Sequence, residues 1–260
     1  MVKHEVKPYG EPYGSFAEIY DRIMDSVDYE GWADYVEQLL KMHPTKFSIE
    51  KIIDLACGTG SSTLPFARRG YQATGVDLSE TMLKQAREKT CRQGLQVNYL
   101  LQDIRSLKLT GMYDLALLFQ DGLNYILCEK ELAQTFQGIY QIINAGGLFI
   151  FDLTRPGLRC TDKKGSTCVA ELEELILIME SSYETSEDLW TARLTVFQET
   201  EHGLYKKYRE EHYEKDHNPE TVAEILYRTG FYVHAIYPSF KLEPACSSDQ
   251  KLTFVAERTA

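Results

Sequence analysis

The chain has 260 residues, 43% hydrophobic and 12% aromatic, and a formal net charge of -11. That is enough apolar material for one large α/β domain, or for one domain carrying an insertion. The acidic balance works against a general nucleic-acid binder, which must neutralise phosphates with Lys and Arg, and nucleic acid is not an expected partner.

The first residues, MVKHEVKPYGEPYGSF, lack the apolar stretch of a secretory leader. Phe16, Ile19, Tyr20, Ile23 and Met24, then Trp32, Val36, Leu39 and Leu40, recur at intervals of three and four. That spacing predicts two amphipathic helices broken near residues 25–31. A regular alternation follows. KIIDLAC is a strand, SSTLPFARRG a helix, YQATGVDL a strand, SETMLKQAREKT a helix, and VNYLLQD and YDLALLFQ are strands. EKELAQTFQGIYQIIN is a helix and GLFIFDL a fifth strand. Strands that are apolar nearly throughout and alternate with helices predict a parallel sheet covered on both faces.

After Asp152 the rhythm changes. CVAELEELILIMESSYE, DLWTARLTVFQETE and LYKKYREEHYEK show partial two-residue alternation and turn-like breaks, which predicts inserted antiparallel strands. The acidic ELEEL stretch could open a helix, but the β-branched residues beyond it favour strand. Asn218-Pro219 then marks a helix start and Gly230 its C-terminal cap, and FYVHAIYPSF and KLTFVAERT close the chain as strands. The expected organisation is an N-terminal helical and α/β core over residues 1–154, an inserted antiparallel lid over 155–216, and a closing helix and strands over 217–260.

The six cysteines, at 57, 91, 128, 160, 168 and 246, form no CxxC pair, and Cys57 and Cys128 fall in apparent core segments. A reduced, cytoplasmic protein is expected, a monomer or homodimer. No stretch approaches the ~20 apolar residues of a membrane span.

The chemistry concentrates between Ile52 and Leu83. A strand ending at Asp54 runs into the glycine turn ACGTG, and Ser61-Ser62-Thr63 is expected to open a helix. Glycines let the backbone approach a ligand, and a helix N-terminus offers free N–H groups. A dinucleotide fingerprint places a third glycine where Thr63 stands, so that the helix dipole meets a pyrophosphate. Here a carboxylate, Asp54, precedes the turn. It would repel a pyrophosphate and suit a ligand carrying an ammonium and a sulfonium.

These residues resemble a known family. Asp54-Leu55-Ala56-Cys57-Gly58-Thr59-Gly60 is similar to the first motif of class I S-adenosylmethionine-dependent methyltransferases of the small-molecule type. The resemblance implies S-adenosylmethionine as cofactor and a Rossmann-like, seven-stranded, mostly parallel sheet with helices on both faces. It also implies that Asp77 accepts both ribose hydroxyls, with Leu78 and Met82 near the adenine. Gln102, Asp103 and Ile104 match the stretch that reads the adenine amino group. Phe119 belongs to the fourth motif, YDLALLFQDGLNYI, whose end faces the methyl group. Tyr20 is either core or a cover for the methionine end. Replacing Asp77 is expected to weaken cofactor binding and leave the unliganded fold little changed.

Asp121, Asn124 and Tyr125 are the acceptor-side candidates. They follow the fourth strand, where such sheets place their ligands. Asp121 could serve as a base or hold an ammonium, or simply occupy a turn. In the lid, His212 is a candidate general base. A D-x-x-N-Y stretch of this kind in the family implies a small-molecule acceptor methylated on N or O. The histidines are scattered, no HExxH or GxSxG occurs, and no metal is expected. Two alternatives remain. A nicotinamide-dependent oxidoreductase is disfavoured by Asp54, Thr63 and the lack of a Tyr-x-x-x-Lys pair. A catalytically silent S-adenosylmethionine-binding module would carry the same cofactor residues.

Overall fold

The computed structural model describes residues 16–159 and 165–259. The N-terminal stretch read as leaderless lies almost wholly, and Cys160 wholly, outside the described residues. Two helices come first, α1 (Ala17–Ile23) and α2 (Tyr29–Met42), the second capped by Asp28, whose carboxylate accepts the Gly31 N–H at 2.8 Å. The alternation then reads β1 (Lys51–Leu55), α3 (Leu64–Arg68), β2 (Gln72–Asp77), α4 (Glu80–Arg92), β3 (Val97–Leu101), β4 (Tyr113–Leu118), α5 (Glu129–Ile142) and β5 (Ile143–Thr154).

After the short α6 (Pro156–Arg159), four strands leave the main sheet: β6 (Ser166–Leu172), β7 (Leu175–Glu184), β8 (Leu189–Glu199) and β9 (Tyr205–Lys215). The chain returns through α7 (Pro219–Thr229), β10 (Phe231–Pro238) and β11 (Lys251–Arg258). As the sequence suggested, the Asn218 side chain caps α7 and Gly230 ends it in the left-handed region at φ 107.

The main sheet has the order β10-β11-β5-β4-β1-β2-β3, with β11 antiparallel to both neighbours and the other pairings parallel. Successive strand residues face opposite sides of a sheet, so two covered faces require two apolar sets. Ile53, Leu55, Ala116, Leu118, Phe149 and Phe151 pack against Leu132, Phe136 and Ile139 of α5 and Leu226 of α7. Ile52, Leu115, Leu117, Leu148 and Ile150 pack against Trp32, Val36 and Leu39 of α2 and Phe66 of α3. The crossover from β3 back past β1 to β4 leaves the carboxyl ends of β1, β2 and β4 side by side, which is where a parallel sheet opens a crevice.

The second sheet is antiparallel throughout, in the order β6-β7-β8-β9. The acidic stretch read as part of one long strand is a hairpin turn between β6 and β7, with Glu173 at φ 42. A glutamate rarely takes that conformation, so the sequence carries no turn signal there. Leu175, Val196 and Tyr208 of this sheet meet Ile19 of α1 and Phe16, the residue before it, in a separate apolar cluster. Cys57 is buried as expected, but Cys128 is exposed at the cap position of α5. Among the described residues no helix is long and apolar enough to cross a membrane.

Candidate active site

The turn after β1 passes through the left-handed region three times, at Ala56 (φ 53), Gly58 (φ 54) and Gly60 (φ 75). For an alanine this costs about 1–2 kcal/mol. The two glycines do different jobs. A Cβ on Gly58 would meet nothing within 4 Å, because Gly58 borders an open cavity. A Cβ on Gly60 would come within 2.5 Å of the Tyr99 hydroxyl and 3.1 Å of the Ala86 Cβ, so Gly60 permits packing beneath the turn.

The helix expected at Ser61 begins only at Leu64. The hydroxyls of Ser62 and Thr63 donate to Asp54 Oδ2 at 2.8 and 2.6 Å, which holds residues 61–63 in a turn. Asp54 is fully buried, and burial pushes its carboxyl up to about 6. Asp54 and Gly60, both expected at the ligand, therefore lie behind the cavity wall. They shape the turn rather than line the space.

The cavity encloses about 600 Å³ at the carboxyl ends of β1, β2, β3 and β4. At one end Asp77 Oδ2 accepts the Gly58 N–H and Oδ1 the Ser79 N–H, each at 2.8 Å. Burial raises the Asp77 carboxyl, opposed by these N–H groups. Leu78 and Leu101, exposed apolar side chains, and buried Met82 form a slot that continues to Gln102, Asp103 and Ile104. The Gln102 side chain accepts the Lys108 N–H at 2.8 Å. Asp103 is gripped by the Arg105 guanidinium, with Nη2–Oδ2 at 2.6 Å, which holds its carboxyl below the usual range.

On the amino-terminal side Tyr20 lines the cavity, together with Tyr29, whose phenol burial pushes up to about 12. Burial likewise raises the Tyr20 phenol. Asp21 of α1 accepts the hydroxyls of Thr59 at 2.5 Å and Ser61 at 3.1 Å and pairs with Lys89, fastening the helix to the glycine turn.

At the far end, Phe119, Gln120, Gly122, Tyr125 and Ile126 complete the wall. Gln120 (φ 59) and Asp121 (φ 64) are both left-handed, and their N–H groups donate to the buried carboxylate of Asp152 at 3.0 and 3.1 Å. Asp121 does not line the cavity; its Oδ1 accepts the Lys251 ammonium at 2.8 Å and the Thr154 hydroxyl. Lys251 also lies 2.8 Å from Asp152. Burial would lower the Lys251 ammonium, but Asp152 and Asp121 raise it, and it stays a cation.

Asn124 is fully buried. Its amide donates to the carbonyls of Thr154 and Lys215 at 2.7 and 2.9 Å, and its side-chain oxygen accepts the Thr154 N–H at 3.1 Å. This is a clasp between β5 and the end of β9, not an acceptor-facing group. Tyr125 does face the cavity, and its hydroxyl meets Nδ1 of His212 at 3.1 Å. Burial pushes His212 down to about 4.

Residues 52–147 match the family model described as "Methyltransferase domain". A protein of Geobacillus sp. (strain WCH70) named as a methyltransferase is 29% identical over 246 residues, covering 95% of this chain and 99% of its own length. The crystal structure of an S-adenosylmethionine-dependent methyltransferase from Clostridium acetobutylicum ATCC 824 superposes with a TM-score of 0.84 at 26% identity, over 95% of this chain and 99% of that one. The chain carries a methyltransferase domain of the class I, S-adenosylmethionine-dependent kind. S-adenosylmethionine is its cofactor. The likeness extends through the second sheet: a sugar N-methyltransferase from Streptoalloteichus sp. ATCC 53650 shares the fold at a TM-score of 0.77 and 18% identity, covering all of this chain and 99% of its own.

In this methyltransferase several cavity and supporting residues carried no usable sequence signal. Tyr29 falls in the break expected between the two N-terminal helices, Thr59 inside the glycine turn, and Ser61 at the expected helix start. Asp152 and Lys251 lie 99 positions apart in sequence and meet only because β11 pairs with β5.

Proposed function

We propose that this methyltransferase moves the methyl group of S-adenosylmethionine to a nitrogen or oxygen of a small-molecule acceptor. The observation that carries the reading is the single continuous cavity of about 600 Å³ running from Asp103 to Tyr125. That is the size of a small-molecule site, walled by apolar side chains with a few polar groups. The sulfonium supplies the electrophilic methyl group, and the chain supplies alignment and charge.

Asp77 takes the ribose hydroxyls, Leu78, Met82 and Ile104 flank the adenine, and Gln102 and Asp103 read its edge. Ala56 and Gly58 let the backbone approach the methionine portion, which Tyr20 covers, and Phe119 borders the transferring methyl. Asp54 and Gly60 support the turn from behind. The Tyr125 end is left for the acceptor, with His212 behind it and the second sheet, within residues 155–216, as its lid. The nicotinamide alternative is weakened further by Thr63, whose hydroxyl is bound to Asp54 where a fingerprint glycine would stand.

The test is release of S-adenosylhomocysteine from S-adenosylmethionine over a panel of amines, phenols and carboxylic acids. Turnover with members of the panel supports the reading. Tight cofactor binding with no turnover on any member favours the silent module instead.

A further inference from the structure

β11 runs antiparallel to β5, so its first residue, Lys251, sits opposite Thr154 at the carboxyl ends of the parallel strands. Asp152, two residues before Thr154, shares its face of the sheet and stands diagonal to the lysine. The Lys251 ammonium closes that diagonal, 2.8 Å from Oδ2 of Asp152. It also lies 5.4 Å from the centre of the Trp32 ring, in cation–π range. Lys251 is not part of the cavity lining.

The groups it touches do reach that lining. Gln120 and Asp121 are consecutive left-handed residues, a conformation that side chains disfavour and that persists only where surrounding contacts impose it. Asp152 imposes it with both oxygens: Oδ2 accepts the Gln120 N–H at 3.0 Å and Oδ1 the Asp121 N–H at 3.1 Å. Gln120 lines the cavity, and so does Phe119, whose ring centre is 4.7 Å from that of Trp32. Burial raises the Asp152 carboxyl, and the Lys251 charge opposes this. Without the lysine, Asp152 takes up a proton more readily. One of its two acceptor oxygens then becomes a hydroxyl, a poorer acceptor.

We infer that Lys251 and Asp152 are positioning residues for methyl transfer, holding the Phe119–Gln120 wall through its backbone on one side and through Trp32 on the other. The inference rests on the placement of the transferring methyl group beside Phe119 proposed above, and extends it to a pair behind the wall. A shifted wall leaves the cofactor held through Asp77 and Gly58 but spoils the alignment of methyl group and acceptor.

NMR tests this without an acceptor. In the wild type with S-adenosylhomocysteine bound, the Gln120 and Asp121 amides should exchange slowly. Lys251→Met should speed exchange of at least one of them by ~10-fold or more. With [methyl-¹³C]S-adenosylmethionine bound, Lys251→Met and Phe119→Leu should each move the methyl resonance, because the Phe119 ring lies beside it. Asp114→Ala is the control for a merely structural role. It removes the acceptor of the Glu50 and Lys51 N–H groups, at 2.9 and 2.8 Å, at the amino end of the same sheet. It should lower the melting temperature and leave both signals in place. If Lys251→Met fails to fold, Lys251→Met with Asp152→Asn replaces it. That pair carries no charge, and its amide has one oxygen for two N–H groups, so the same two changes are expected. Amide exchange like the wild type, or a methyl resonance that Phe119→Leu moves and Lys251→Met does not, overturns the inference. If Phe119→Leu leaves the methyl resonance unmoved while the amides respond to Lys251→Met, the methyl placement fails and the hold on the wall stands. On the acceptor panel, Lys251→Met should lower kcat by ~10²-fold with an unchanged KM for S-adenosylmethionine. An unchanged kcat also overturns the inference.

Discussion

The carboxylate of Asp77 accepts the backbone N–H of Gly58 at 2.8 Å, tying the end of β2 to the turn that follows β1. The same carboxylate holds the Ser79 N–H that leads into α4. These two contacts argue against the expectation that replacing Asp77 leaves the unliganded fold little changed. Asp77→Ala should cost about 1–3 kcal/mol of stability in the unliganded protein, because two N–H groups lose their acceptor. It should also lower S-adenosylhomocysteine affinity by one to three orders of magnitude, since two charge-assisted bonds to ribose hydroxyls are each worth roughly 1.5–3 kcal/mol. Asp77→Asn, which keeps an acceptor oxygen, should recover part of the melting temperature and little of the affinity. Affinity equal to wild type in both variants would remove Asp77 from the ribose site.

Gly58 and Gly60 should separate in the same pair of assays. Gly60→Ala places a methyl 2.5 Å from the Tyr99 hydroxyl at φ 75, and overpacking of this kind typically costs about 1–3 kcal/mol before strain is added. Gly58→Ala carries the strain of φ 54 without a clash. Its larger effect should be on cofactor affinity, because its methyl enters the cavity. Melting temperatures and calorimetry read the two effects, and equal melting losses would contradict the division of labour.

Asp54 should make the unliganded protein less stable as pH rises. Its carboxyl is raised by burial from an ordinary 3.8 to about 6, so the folded state holds its proton more tightly than the unfolded state does. That contribution is fully present below the unfolded value and is lost as pH rises through about 6. Asp54→Asn should flatten this part of the profile between about pH 4 and 7. Thermal melts of both proteins across that range check the sign, and parallel profiles would show that Asp54 does not titrate there.

Asn124→Ala should behave as a folding defect. It removes the acceptor of the Thr154 N–H and the donor to the Thr154 and Lys215 carbonyls, and each buried group left unsatisfied costs roughly 1–3 kcal/mol. The melting temperature should fall and the junction between β5 and β9 should lose hydrogen-exchange protection. Reduced turnover at unchanged stability would restore Asn124 as an acceptor-side group.

Local signals account for what the sequence revealed. The two-face apolar pattern of the parallel strands, the Asn218-Pro219 cap and the Gly230 terminus are each written within a few residues, and the sheet follows from them. Asp77, which ends β2, and Leu78 and Asp103, which follow β2 and β3, were legible as cavity-lining positions because each stands where a strand runs out after the glycine turn. What stayed hidden depends on distant partners. Asp54 and Asp121 look like ligand carboxylates until Thr63 and Lys251 are seen to engage them. Asn124 sits in a motif that reads as acceptor-facing, yet its amide is consumed by Thr154 and Lys215. The hairpin at Glu173 has no glycine or asparagine to announce it.

Titration calorimetry of the wild-type protein with S-adenosylhomocysteine and with NADH tests the central claim most directly. The cavity anchored by Asp77 and Gly58 should bind S-adenosylhomocysteine in the low micromolar range, about -7 to -8 kcal/mol, and give no heat with NADH. Tight binding of NADH with no binding of S-adenosylhomocysteine would contradict it.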